Sequence, residues 1–264
     1  MRDNVVIITG ASRGIGAELA RQLADAGAAV VVTGRDAAAL EKVTAECRAR
    51  GARVTSVVAD VAEESGCRRI VEHAVATFGR IDTLVNNAGA TMYLPFREVR
   101  DPALFEQIMR VNYLGAVYCT FHALPEIVKT RGRIVGVASL TGLTGVPTRS
   151  GYAASKHAMR GFFDSLRIEL ADSGVTVTMI YPGFVATGIR MTALGRDGQP
   201  VPVDPVDAGD VMPVEECARQ SIRAIAARRR ELVMTARGRL GMWAKLVVPG
   251  LVDRMAQRVI AKRS

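Results

Sequence analysis

Residues 5–16 read VVIITGASRGIG, and this stretch decides the architecture. Val5 to Thr9 is an unbroken apolar and β-branched run, the pattern of a strand buried on both faces of a parallel sheet. Gly10, Gly14 and Gly16 follow at once, and a helical pattern opens at Ile15. Glycines at a strand-to-helix joint allow a tight turn and let the backbone approach a pyrophosphate at the positive end of the helix. The spacing is G-x-x-x-G-x-G, not the general G-x-G-x-x-G.

Outward from this joint the same alternation continues. Strand-length apolar runs recur at Ala29 to Thr33, Arg53 to Val57, Asp82 to Asn86, Gly132 to Ala138, Val175 to Ile180 and Glu231 to Met234. Segments such as Ile15 to Ala26 and Ala37 to Arg50 are long enough for crossover helices. The pattern predicts an α/β fold, a single-domain, Rossmann-type doubly wound parallel sheet of about seven strands with helices on both faces. That domain is expected over 1–235, with a basic, apolar C-terminal extension over 236–264. Between 183 and 213 the rhythm breaks in a segment rich in Gly and Pro, which reads as a lid over a pocket.

With 264 residues, 49% of them hydrophobic, the chain can bury a substantial core. Cys47, Cys67, Cys119 and Cys217 form no C-x-x-C pair, so neither a zinc cluster nor a redox motif is suggested. Strand-like sequence from Asn4 leaves no room for a signal peptide, and the expected location is the cytoplasm. The net charge of +9 is uneven: from Arg219 onward 12 Lys or Arg face only Glu231 and Asp253. No RRM-like, zinc-finger or helix-turn-helix pattern accompanies this charge, so nucleic acid is not an expected partner.

In an NAD-binding site, an acidic residue about 20 positions beyond the glycines accepts hydrogen bonds from the adenosine ribose. Here Gly34 and then Arg35 stand at the end of the second strand. Arg35 with Arg13 would grip a 2′-phosphate, which predicts NADP(H). The competing reading makes both arginines ordinary surface residues and hands the ribose to Asp36.

The chain resembles the short-chain dehydrogenase/reductase family from its start to about Glu231. Beside the TGxxxGxG turn stand Asp60-Val61, Asn86-Asn87-Ala88-Gly89, Asn112, Ser139, Tyr152-x-x-x-Lys156 and Pro182-Gly183, in the family's order. The resemblance implies that Gly10, Ser12, Arg13, Gly14, Ile15 and Gly16 form the cofactor turn and that Asp60 and Val61 hold the adenine. Asn87, Ala88 and Gly89 would line the cofactor; Pro182, Gly183, Val185 and Thr187 would contact its nicotinamide end. It also implies homodimers or homotetramers.

Tyr152 and Lys156 are i and i+4 on a helix and therefore share a face. A free tyrosine titrates near 10, too high for proton transfer at neutral pH, and an adjacent ammonium favours the phenolate. The resemblance implies a catalytic set of Asn112, Ser139, Tyr152 and Lys156, needing no metal. Tyr152 would exchange a proton with a carbonyl or alcohol oxygen while hydride moves to or from the nicotinamide. Ser139 would bond the same oxygen, Lys156 would grip the nicotinamide ribose, and Asn112 would hold a water leading to Lys156.

The stretches that set specificity in the family offer Met92, Leu140, Leu143, Phe184, Ile189 and Met191, with Tyr93, Leu94 and Val146 beside them. This apolar wall favours a lipophilic ketone, aldehyde or secondary alcohol. The tail around Met242-Trp243-Ala244-Lys245 is similar to those of membrane-associated relatives, so the extension is expected on the same domain, a partner subunit or the inner face of a membrane. Two alternatives stay open: a 3-oxoacyl-(acyl carrier protein) reductase-like enzyme, and a non-catalytic NADP(H)-binding sensor.

Overall fold

The apolar runs become strands within a residue or two of their expected bounds: β1 (Val5–Thr9), β2 (Ala29–Gly34), β3 (Val54–Val58), β4 (Thr83–Asn86), β5 (Arg133–Val137), β6 (Thr176–Tyr181) and β7 (Glu231–Val233). The structure is a computed structural model and describes residues 1–199 and 211–261. The strands form one sheet in the order β3-β2-β1-β4-β5-β6-β7, every pair parallel. Strand order reverses between β1 and β4, and in open parallel sheets that switch point opens a crevice at the carboxyl ends.

The connections are helices: α1 (Gly14–Asp25), α2 (Ala37–Ala49), α3 (Glu64–Phe78), α4 (Ala103–Met109), α5 (Gly115–Lys129), α6 (Ser150–Glu169) and α7 (Val214–Ala226), followed by α8 (Ala236–Val247) and α9 (Pro249–Ala261). Alternate strand residues face opposite sides, which yields two cores. Ile7, Val31, Leu84 and Ile134 pack with Ile70, Cys119 and Phe163 of α3, α5 and α6. Val6, Ile8, Val30 and Val135 pack with Leu19, Leu40 and Cys217 of α1, α2 and α7.

Two local features position the site. A Cβ on Gly136 of β5 would come within 2.7 Å of the Met179 sulfur and 2.9 Å of the Phe163 ring, so the bare glycine lets α6 lie close on the sheet. Between α4 and α5 the chain makes a π-helical turn, Arg110–Leu114, with Asn112 at its centre and fully buried. Such one-turn bulges recur at functional sites because they redirect a side chain without ending the helix.

The segment expected as a lid is tied to the chain on either side of it. Leu194 N–H donates to Thr91 O, Met212 N–H to Phe184 O, and Arg196 pairs with Glu98 at 2.5 Å. Residues 200–210 of the expected lid lie outside the described residues. The C-terminal extension forms two helices. Thr235 caps α8 by accepting from Gly238 N–H, and Gly238 abuts Leu140, so the first turn of α8 packs on the main domain. Beyond that turn Leu240, Trp243, Leu246, Val247 and Leu251 are exposed. Among the described residues no helix is long and apolar enough to cross a membrane.

Candidate active site

The glycine turn is built against the turn that follows β4. Gly10 and Gly14 have φ of +64° and +56°, a region that side chains strain to enter. A Cβ on Gly10 would lie 2.7 Å from Ala88 Cα, and one on Gly16 would strike Gly10 O and come within 2.5 Å of Asn87 Nδ2. Asn87 donates from Nδ2 to the carbonyls of Thr9 and Gly10, while Thr9 Oγ1 accepts from the N–H groups of Asn87 and Ala88. The two turns are thus locked together and leave a backbone-lined cradle at the start of α1.

That cradle opens into a cavity of about 590 Å³ running over the carboxyl edge of the sheet. Of the residues expected to hold a cofactor, only Gly16 does not line it; it sits behind the turn it makes room for. At the far end Arg35 is 70% exposed and reaches Asp60 at 3.5 Å, a loose surface pair. The Asp36 carboxylate is engaged as the cap of α2, accepting from Ala39 N–H at 3.0 Å.

At the other end Ser139, Tyr152 and Lys156 line the same cavity. Lys156 is 3% exposed and donates from Nζ to Val137 O at 2.9 Å. Burial lowers its pKa from 10.5 to about 8. Asn112 does not line the cavity. Its Oδ1 accepts from Ala90 N–H and its Nδ2 donates to Ala90 O and Ser155 Oγ, so the side chain holds the turn after β4 against α6.

Burial raises the pKa of the Tyr152 phenol; the groups that oppose the rise are Arg149 and the Ser139 hydroxyl. The Lys156 ammonium sits 5.8 Å from the ring centroid and is bonded to Val137 instead. Arg149, the residue that caps the start of α6 three positions before Tyr152, was not among the expected site residues, yet its guanidinium carbon lies 4.5 Å from the Tyr152 ring centroid and 4.4 Å from that of Tyr93.

The sequence pattern of the short chain dehydrogenases matches residues 4–196. The chain belongs to the short-chain dehydrogenase/reductase family. It is 36% identical over 258 residues to an 11-beta-hydroxysteroid dehydrogenase-like 4A of Arabidopsis thaliana, covering 96% of this chain and 84% of that one. It is 33% identical over 263 residues to a dehydrogenase/reductase SDR family protein 7-like of Dictyostelium discoideum, covering 97% and 82%. Among solved structures it is similar to a short chain dehydrogenase/reductase from Burkholderia phymatum in complex with NAD (TM-score 0.85, 25% identity, 95% of both chains). It is also similar to an alcohol dehydrogenase from the archaeon Thermococcus sibiricus complexed with 5-hydroxy-NADP (TM-score 0.75, 27% identity, 88% of this chain and 95% of that one).

Within this short-chain dehydrogenase frame the substrate end differs from the expected apolar wall. Phe184 and Ile189 line the cavity as expected. Met92 does not: it is fully buried in a small core with Leu104, Ile108 and Tyr152, behind the phenol. Leu140 and Leu143 pack on the main core and do not line the cavity either, and the Met191 side chain lies outside what is described. Tyr93, Gln107, Arg149 and Gln199 take their place, a mixed wall with polar groups among Val111, Phe184 and Leu194. Arg149 stands three residues before the tyrosine, at the cap of α6, whereas nothing in the sequence singles out Gln107.

Replacing Asn112 by Ala removes the side-chain partner of both the N–H and the carbonyl of half-buried Ala90, which costs about 1 kcal/mol per hydrogen bond. The expected result is a melting temperature lowered by several degrees, with a smaller loss in Ser155→Ala; an unchanged melting curve in Asn112→Ala would show that the amide holds nothing.

Proposed function

We propose that the protein is an NADP(H)-dependent oxidoreductase that interconverts a carbonyl and a secondary alcohol on a lipophilic substrate. The observation that carries this reading is one continuous cavity with Arg13 and Arg35 at its nucleotide end and Ser139, Tyr152 and Lys156 at the other. The residues fit a nicotinamide dinucleotide: the glycine cradle suits a pyrophosphate that no side chain would admit, and the positive end of α1 faces it. With the Asp36 carboxylate committed to its cap, the exposed guanidinium of Arg35 favours a 2′-phosphate over a free ribose hydroxyl.

When bound, the nicotinamide gives or takes the hydride. Tyr152 donates its phenolic proton to the carbonyl oxygen in reduction and accepts the alcohol proton in oxidation. Ser139 donates a hydrogen bond to that oxygen and stabilises the charge growing there. Lys156 spends one of its three N–H groups on Val137 O and has two for the ribose hydroxyls. Phe184, Ile189 and Leu194 give the substrate an apolar bed, in keeping with the hydroxysteroid dehydrogenase-like relative.

The extension adds a location to this chemistry. Leu240, Trp243, Leu246 and Val247 form an exposed apolar stretch on α8, and Arg239 and Arg254 are charges that complement an anionic lipid headgroup. We place this face on an anionic membrane surface, where a lipophilic substrate concentrates.

Purified protein is expected to oxidise NADPH against lipophilic ketones, with Tyr152→Phe slower by about 10²–10⁴-fold. Arg35→Ala should shrink the preference for NADPH over NADH by about ten-fold or more. A preference for NADH in the wild type would sink the Arg35 assignment, and tight NADPH binding without turnover on free compounds would favour a carrier-bound substrate or a sensor. In sedimentation, vesicles containing phosphatidylserine are expected to retain the protein, and the double variant Trp243→Ser, Leu246→Ser to lose that retention. Equal recovery with and without vesicles would remove the membrane from the account.

A further inference from the structure

We propose that Arg149 is a positioning residue for the reaction: clamped between Tyr93 and Tyr152, its guanidinium fixes the phenol ring and stabilises the phenolate that proton transfer creates. The inference rests on the proposed role of Tyr152 and extends it to the residue three positions before it. Three observations converge. The guanidinium lies over both rings, 4.4 Å from the Tyr93 centroid and 4.5 Å from the Tyr152 centroid. Its Nη2 donates to Thr91 Oγ1 at 2.8 Å, and Thr91 is fully buried, so the fork is anchored to the loop after β4. Arg149 is half-buried and lines the cavity beside Tyr152.

A planar guanidinium stacks on aromatic faces and stays charged at every working pH, which an ammonium of lowered pKa does not. This division of labour follows from the geometry. Lys156, titrating at about 8, gives one N–H to Val137 O and lies farther from the ring than Arg149 does. Arg149 opposes the burial that pushes Tyr152 upward.

The charged and titratable groups around the phenol come from each neighbouring element. Its own helix α6 supplies Lys156, the cap that precedes α6 supplies Arg149, and the loop after β4 supplies Tyr93, which opposes ionisation. The turn after β5 supplies the Ser139 hydroxyl, and α4 contributes the apolar Leu104 and Ile108 of the same small core. Removing Arg149 therefore deletes the nearer of the two cations over the ring, 4.5 Å from its centroid against 5.8 Å for Lys156, and should move Tyr152 to higher pH.

The test reads the tyrosine without asking it to turn over. Protein labelled at tyrosine Cζ is titrated by carbon NMR, with Tyr152→Phe assigning the Tyr152 signal. In Arg149→Gln the Tyr152 midpoint should rise by about one pH unit, equal to a ten-fold weaker acid. Arg149→Lys should fall between wild type and Gln, and Thr91→Val, which only frees the guanidinium, should shift it the same way by less. If Gln does not fold, the Lys and Val variants carry the comparison. In turnover, the limb of the kcat pH profile assigned to Tyr152 should move up by the same amount while the NADPH Kd stays constant. An unmoved Tyr152 midpoint in the Gln, Lys and Val variants overturns the role of Arg149. Because the NMR titration needs no substrate, failure of the proposed reaction would appear separately, as absent turnover in wild type.

Discussion

The site depends on keeping an ammonium out of water at the carboxyl edge of the sheet. Lys156 is 3% exposed and bonds through Nζ to a main-chain oxygen, Val137 O. Burying a charge is costly unless it is bonded or gives up its proton, and here both responses are visible: one strong hydrogen bond and a pKa lowered to about 8. The surroundings are shaped to allow it. A Cβ on Gly142 would lie 3.1 Å from Lys156 O, and one on Gly89 would lie 3.3 Å from Asn112 Oδ1 and 3.7 Å from Nζ. Asn112, turned inward by the π-helical turn, binds the segment after Gly89 to Ser155 of α6. Glycines, amide and bulge together make a slot that α6 can fill with a lysine.

The same economy of charge runs along the cavity. Arg13 and Arg35 stand at one end and Lys156 and Arg149 at the other, with the glycine cradle between them. Asp36 and Asp60 also line it, but the first is committed to a helix cap and the second accepts from Ala62 N–H and pairs loosely with Arg35. A groove lined mainly by one sign of charge attracts an anionic dinucleotide from a distance and holds it along its length. At the substrate end the chain beyond β6 is tied to the segment after β4 through Leu194 to Thr91 and Arg196 to Glu98.

What the sequence made legible follows from which physics is local. Strands such as Val5–Thr9 and Ala29–Gly34 could be read because both faces are buried and every residue shows it. The glycine turns could be read because positive φ and close backbone contact admit little else. Tyr152 and Lys156 could be placed on one face by spacing alone. The substrate wall could not, because apolar character is shared by pocket and core: Met92 lies behind the phenol, and Leu140 and Leu143 pack against the main core. Nor could the actions of Arg149 and Lys156 be told apart from i, i+3 and i, i+4 spacing, since which cation stacks on the ring and which bonds the sheet depends on Thr91 and Val137, distant in sequence. The π-helical turn at Asn112 likewise arises from contacts with Ala90 and Ser155 that no local pattern announces.

The most direct test of this account is the titration of Lys156 itself, followed by carbon NMR at lysine Cε with Lys156→Met to assign the signal. The account predicts a midpoint near 8, and with it a folded state that gains stability from this group as pH rises from about 8 towards 10.5, where only the unfolded chain still binds the proton. A midpoint at the ordinary 10.5 would mean that the ammonium is hydrated in solution, and the buried slot on which the arrangement of α6, Asn112 and the two glycines depends would not exist as described.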